Sequence, residues 1–275
     1  TGILSLQASN NMDATTNADG KAKTSSGGTA VGVAVAINVA DMTNEASIGT
    51  GSTITADGLT LRATMKDVAG DTPDTHRFAA TALSGASGGD VGVAGSVAIN
   101  VATADTVARV NSGATVVLSA GDVTVEAVSR TEDTVSAKAA AAGSGDAGVG
   151  ASIAVNIALA DTIAEFQSGS TVSGSADDFD VKATHHGSVT TTAEAGAAGS
   201  TAVGGGIAVT VAESNTLAKV GSGAGGVISL TGGLEVEATH TDTVYTLSNG
   251  EAAGDGVGVG VSVAINILVD KTTAE

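Results

Sequence analysis

The 275-residue chain has no cysteine and no tryptophan, one proline, one tyrosine and three phenylalanines. Without cysteine there are no disulfides and no thiol chemistry, although a large secreted β-protein can do without such staples. With so few aromatic rings an ordinary globular core lacks its bulkiest parts, and the 42% apolar content comes from Val, Ile, Leu and Ala. Basic residues are also scarce, 11 against 29 acidic ones for a formal charge of −18. That balance leaves no basic patch to neutralise phosphates, which disfavours nucleic acids and anionic membrane surfaces as partners. Long apolar runs are missing too. Val257 to Val269 spans 13 residues and contains Gly and Ser, too short for a transmembrane helix.

What the chain does have is 39 glycines among β-branched runs, a composition that suits strands joined by tight corners and weakens helices. One phrase returns throughout: VAIN ending at Asn38 and Asn100, AVN at Asn156, AVT at Thr210 and VAIN at Asn266. Successive steps are 62, 56, 54 and 56 residues. Self-similarity at a period of about 55 residues marks a repeat protein, so fold and function follow from one unit.

Each unit offers four strand-like segments. The first is the VAIN strand, at 35–40, 97–102, 153–158, 207–212 and 263–268. A second follows near Glu45, Val107, Ile163, Leu217 and Thr273. The third reads LSLQA, LTLRA, VTVEA, FDVKA and LEVEA from Leu4, Leu59, Val123, Phe179 and Leu234. A fourth, rich in Thr and Ala, starts near Ala14, Phe78, Val135, Val189 and Val244 and enters a Gly-rich corner. Alternation in the third segment puts Leu4, Leu6 and Ala8 on one face, with their equivalents above them. No unit can bury that face alone, whereas stacked units can.

Charge supports the stacking. The outward positions of the third segment read Gln7, Arg62, Glu126, Lys182, Glu237, and those of the second read Ser47, Arg109, Glu165, Lys219, Glu275. Both alternate in sign, as residues about 4.8 Å apart in parallel stacked strands require. Opposite phases further predict pairs within each turn: Arg109 with Glu126, Glu165 with Lys182, Lys219 with Glu237. Together these patterns predict an all-β, right-handed parallel β-helix (β-solenoid) of roughly five coils, forming one segment over residues 1–275. A coil of about 55 residues is unusually wide, and the VAIN strand is apolar on both faces, which predicts layers covering it on both sides. The chain starts and stops inside strands, so the expectation is a piece cut mid-coil from a longer array, able to associate end to end.

Candidate sites are few. Asn38, Asn100, Asn156 and Asn266 stack at one position, where amides can bond from coil to coil, and the Thr210 hydroxyl can join that chain. A structural ladder is the preferred reading over a ligand row. His185 and His240 share one register and could hold zinc or nickel if a carboxylate joined them. Asp90, Asp146 and Asp255 lie in Gly-rich corners that faintly resemble calcium-binding β-rolls, without the tandem nonapeptide. No nucleophile motif or recurring carboxylate pair points to catalysis.

The pattern GVGVxVAINVADxTxAxVGxGATVxAGxVTVEA, clearest in Val91 to Ala127 and Gly254 to Glu275, resembles the repeats of giant secreted bacterial exoproteins of the haemagglutinin and leukotoxin-like adhesin kind. The resemblance implies a secreted or cell-surface location and an elongated, non-catalytic part in adhesion or cell-to-cell contact. Its partners would be neighbouring repeats of the parent chain and another cell surface. It brings no catalytic residues and requires no cofactor. The alternatives are a binding module for calcium, a glycan or a partner protein, then a polysaccharide-active β-helix enzyme or an ice-binding solenoid.

Overall fold

The computed structural model describes residues 2–25, 27–142, 146–221 and 228–275. Fourteen strands and no helix occur among them. In chain order they are β1 (Leu4–Asn10), β2 (Asp13–Lys23), β3 (Thr29–Ile48), β4 (Thr53–Ala56), β5 (Leu59–Met65), β6 (His76–Ser87) and β7 (Val91–Val110). There follow β8 (Thr115–Leu118), β9 (Val123–Ala142), β10 (Ala147–Phe166), β11 (Thr171–Ala176), β12 (Phe179–Val220), β13 (Ile228–Leu230) and β14 (Leu234–Ala274). No helix of the described residues is long and apolar enough to cross a membrane.

Each strand pairs in parallel with its equivalent one repeat away. The VAIN arm runs Asn38↔Asn100↔Asn156↔Thr210↔Asn266 through β3, β7, β10 and the second halves of β12 and β14. The return arm runs Leu4↔Leu59↔Val123↔Phe179↔Leu234 through β1, β5, β9 and the first halves of β12 and β14. Because β12 passes from one arm into the other, with a register shift at Gly199/Thr201, both arms belong to one ten-stranded sheet that turns back on itself. A separate four-stranded sheet stacks β4, β8, β11 and β13.

This layout corrects the four-segment unit. The first and second segments are one 20-residue strand in β3, β7 and β10, since alternation continues without a break between them. The third and fourth also fuse in β9, β12 and β14. They stay apart only in the first two repeats, as β1 with β2 and β5 with β6. Between β5 and β6 lies an insertion. Ala63 to His76 is 13 positions where Ala127 to Thr131 is 4, nine residues more, and shorter connections elsewhere leave the observed step of 62. The short side strand was not anticipated, although Thr/Val alternation in STITA, ATVVL and STVSG between glycines carries its signal.

The VAIN arm is covered on one side only, contrary to the expectation of two. Its small residues face inward: Ala30, Ala34, Ala36, Ala40 and their equivalents in β7, β10 and β12 are buried against the return arm, whereas both faces of the VAIN half of β14 are exposed. Its large residues face out, with Ile37 55% and Val39 73% exposed in β3 and Val257 to Val269 similarly open in β14. The reason is steric. Two sheets carrying Ala and Gly on their facing sides approach more closely than Val and Ile would permit, so the small face finds a tight partner.

The space between the arms is wedge-shaped. At the end closed by the side strands, Leu59, Leu61, Val116, Val123, Phe166, Phe179 and Val181 form the main aliphatic core, with the Phe166 and Phe179 rings 5.1 Å apart. Towards the Gly-rich corner the filling becomes alanine on alanine. Between these two zones lies a band of inward-facing polar residues, and it holds the groups with chemistry.

Candidate metal centre

In the return arm His185 and His240 are register partners, and two residues further on, facing the same way, Gly187 is partnered with Asp242. Strand alternation thus turns His240 and Asp242 together into the space between the arms. From the opposite arm Ser214 and Asp270, also register partners, face them. His240 Nε2 is 3.4 Å from Asp242 Oδ2 and 3.6 Å from Asp270 Oδ1, while His185 Nε2 is 3.5 Å from Asp242 Oδ1. The two imidazoles stack with centroids 5.3 Å apart. Among the described residues, His240, Asp242 and Asp270 are the group of three or more ligand-type side chains whose ligand atoms all lie within 4.8 Å of one another.

Each imidazole is fixed from behind. His240 Nδ1 is 3.0 Å from Thr216 Oγ1, and His185 Nδ1 is 3.4 Å from Thr162 Oγ1, so both rings aim Nε2 at the carboxylates. Ser214 Oγ donates to Asp242 Oδ2 at 2.8 Å. The side chains of His185, Asp242 and His240 are 1%, 3% and 8% exposed, and Asp270 forms the outer edge at 31%. Despite that burial, His185 Nε2, His240 Nε2 and Asp242 Oδ1 have no hydrogen-bond partner. Burial pushes the Asp242 carboxyl up, but contacts with His185 and Ser214 and the nearby imidazoles outweigh it and hold the group below its ordinary value. Asp270 is shifted upward, by burial and then by the charge of Asp242. Gly187 makes the room: a Cβ there would stand 2.3 Å from Asp242 Oδ1 and 3.1 Å from His185 Nε2.

Of this group the sequence pointed to His185 and His240 but not to the acids. His240 and Asp242 stand two apart on a strand, a spacing that places them on one face, so Asp242 was within reach of pattern reading. Asp270 was not, because it comes from the facing arm.

The asparagine ladder is built between the first three repeats. Asn38 Nδ2 donates to Asn100 Oδ1 at 2.8 Å, and Asn100 Nδ2 donates to Asn156 Oδ1 at 3.0 Å and to Asp133 Oδ1 at 2.9 Å. Asn156 Nδ2 turns to the backbone carbonyl of Asp133, and Asn266 is exposed in the last repeat. Thr210 does not extend the ladder as expected. Its short hydroxyl reaches across to Thr191 and Thr246 of the return arm, both at 2.7 Å. Burial, opposed by the Asn100 bond, pushes the Asp133 carboxyl up to about 7. His76, whose Nδ1 accepts from the Met12 N–H at 3.0 Å, is pushed down by burial to about 4.

Both charge ladders lie in register, Gln7↔Arg62↔Glu126↔Lys182↔Glu237 and Ser47↔Arg109↔Glu165↔Lys219↔Glu275, where the last Lys219–Glu275 contact is an ion pair just beyond the final ladder step. Ion pairs form from Arg62 to Glu126 at 3.0 Å, Arg109 to Glu165 at 2.6 Å and Lys219 to Glu275 at 2.5 Å. Lys182 takes Glu235 at 2.6 Å, and Glu237 instead accepts from Thr239. The pairs expected within a repeat, Arg109 with Glu126, Glu165 with Lys182 and Lys219 with Glu237, are not formed. Val110 and Val125 meet inside the main core, so the alternating neighbours Arg109 and Glu126 emerge on opposite outer surfaces.

The corner aspartates act mainly through the backbone. Asp90 Oδ2 accepts from the Gly28 N–H at 3.1 Å, and its carbonyl accepts from Asp146 and Ala147. The Asp146 carbonyl accepts from Thr201, and Asp255 is exposed. Comparison of the chain with family models, curated proteins and solved structures finds no match.

Proposed function

We propose that the chain is a right-handed β-solenoid with a coil of about 55 residues, serving as a stalk or display scaffold in a giant secreted or surface-bound bacterial protein that mediates adhesion or cell-to-cell contact. The observation that carries this reading is the unbroken parallel register from Asn38 to Asn266, in which every repeat pairs with the next through equivalent residues. Such pairing makes length adjustable one repeat at a time, which suits a spacer better than a single fixed site. The resemblance of the repeats to adhesin exoproteins supports the location.

Removing residues 91–146, one whole repeat, joins Asp90 to Ala147 and places β10 where β7 stood. The expected product retains its β-sheet circular dichroism and is shorter along the stack by about 4.8 Å in small-angle scattering. Collapse of the sheet signal contradicts an additive scaffold. Antibody labelling of intact source cells tests the location, and a parent protein confined to the cytosol contradicts it. Among the described residues, β3 and β14 each lack a neighbour on one side. End-to-end association at high concentration follows from those open edges, and a strictly monomeric light-scattering profile contradicts it.

A further inference from the structure

The polar group between the arms of the last two repeats costs stability as it stands. Buried polar atoms are normally satisfied, and burying them without partners is unfavourable. Here two imidazole nitrogens and a carboxylate oxygen converge on one another, and none of the three has a hydrogen-bond partner. A solenoid that needed only to pack could place Ala or Val at these positions, as it does at Ala104, Ala160 and Val244 nearby.

We propose that His240 Nε2, Asp242 Oδ2 and Asp270 Oδ1 bind one divalent transition-metal ion of the zinc class, with His185 holding Asp242 from its other oxygen. Zinc sits about 2.0–2.2 Å from nitrogen and carboxylate ligands, so neighbouring ligand atoms of a tetrahedral site lie about 3.3–3.6 Å apart. The observed 3.4 and 3.6 Å separations about His240 Nε2 match those edges. The two carboxylates carry the charge that one divalent cation cancels. Thr216 behind His240 Nδ1 fixes the ring so that Nε2 faces the carboxylates, and Ser214 orients Asp242, the outer-shell arrangement metal histidines and carboxylates use. Calcium fits poorly, because it takes 6–8 oxygen ligands.

Such an ion would add a direct link between pieces already joined by backbone pairing and by the Ser214–Asp242 and Thr216–His240 hydrogen bonds. Asp270 belongs to the VAIN arm of the last repeat, His240 and Asp242 to its return arm, and His185 to the repeat beside it. The metal is thus a staple between the two arms and between neighbouring repeats, independent of where the parent protein acts.

The test is calorimetric titration and thermal melting of the metal-stripped full chain with zinc, cobalt(II) and calcium chlorides, with hydrogen exchange recorded with and without zinc. One zinc per chain, a rise in melting temperature with zinc concentration, and exchange slowed chiefly over 234–274 are expected. His240→Gln and Asp270→Asn should each weaken zinc binding at least tenfold, while His186→Gln, one residue outside the group, should leave it unchanged. Asp270→Asn lies at the exposed edge, and its circular dichroism checks that the fold is intact. No saturable zinc binding, calcium binding as tight as zinc, protection spread evenly over the chain, or an Asp270→Asn variant binding like the wild type would each overturn the proposal.

Discussion

The two ends of the repeat's cross-section solve the same packing problem with opposite means. At the side-strand end three walls meet, and Leu, Val and Phe side chains fill the gap between them. At the corner end two walls nearly touch. A Cβ on Gly150 would lie 2.4 Å from the Gly196 carbonyl oxygen, and one on Gly32 would lie 2.1 Å from that of Gly85. Side-chain volume thus sets the separation of the arms along the strand, and a gradient from Phe to Gly produces a wedge where a uniform composition would produce a slab.

The thick end should be the most sensitive to truncation. Phe166→Ala removes a ring packed on Phe179 and should lower unfolding free energy by about 3–5 kcal/mol in urea titrations. A loss under about 1 kcal/mol would mean that the walls, not the filling, set the spacing there. The thin end should instead resist enlargement. Gly150→Ala should destabilise by about 1–3 kcal/mol because backbone must move. Gly95, in the same arm but facing out, meets nothing within 4 Å, so Gly95→Ala should be neutral or stabilise by up to about 1 kcal/mol. Equal effects at the two glycines would remove the basis for the wedge.

Between the two ends, pH should distinguish the polar band. The Asp133 carboxyl keeps its proton in the folded chain up to about 7, whereas the unfolded chain releases it near the ordinary carboxylate value of 3.8. Over that window the unfolded state binds fewer protons, so this group makes stability fall as pH rises. His76 acts oppositely. Folded, it titrates at about 4 against 6.5 unfolded, so it makes stability rise with pH across that interval. Asp133→Asn should therefore unmask a rising stability curve between about pH 4 and 6.5 in thermal melts. An unchanged pH profile would show that Asp133 is ionised inside the fold. The smallest effect belongs to the outer surface. Arg62→Gln breaks an exposed pair with Glu126 and should cost at most about 1 kcal/mol, fading in high salt.

Much of this architecture was readable from residue order. The VAIN phrase located one arm, LTLRA and its relatives located the other, and the alternating Arg62, Glu126 and Lys182 signalled the parallel register that joins them. Merging of neighbouring segments into 20-residue strands escaped notice because Thr and Asp at positions such as 105 and 106 look like a turn when read alone, yet continue the alternation. The pairing of Arg109 with Glu126 failed for a related reason. Opposite signs in phase say nothing about whether two outward faces look the same way.

The His240, Asp242 and Asp270 group shows the same boundary at closer range. Two histidines one repeat apart were visible as a vertical pair, since stacking carries equivalent positions onto one another. Asp242 was missed, although strand alternation places it on the same face as His240. Asp270 could be added only once the arms were brought face to face.

Period, strand direction and vertical neighbours were thus written into the order of residues, because equivalent segments of successive repeats stack like on like even where a connection lengthens. Which face of the VAIN strand turns inward, how far apart the arms stand, and which acid meets His240 depend on how one strand packs across the gap on another. That packing is decided by volumes summed over both arms, and no single stretch of chain contains it.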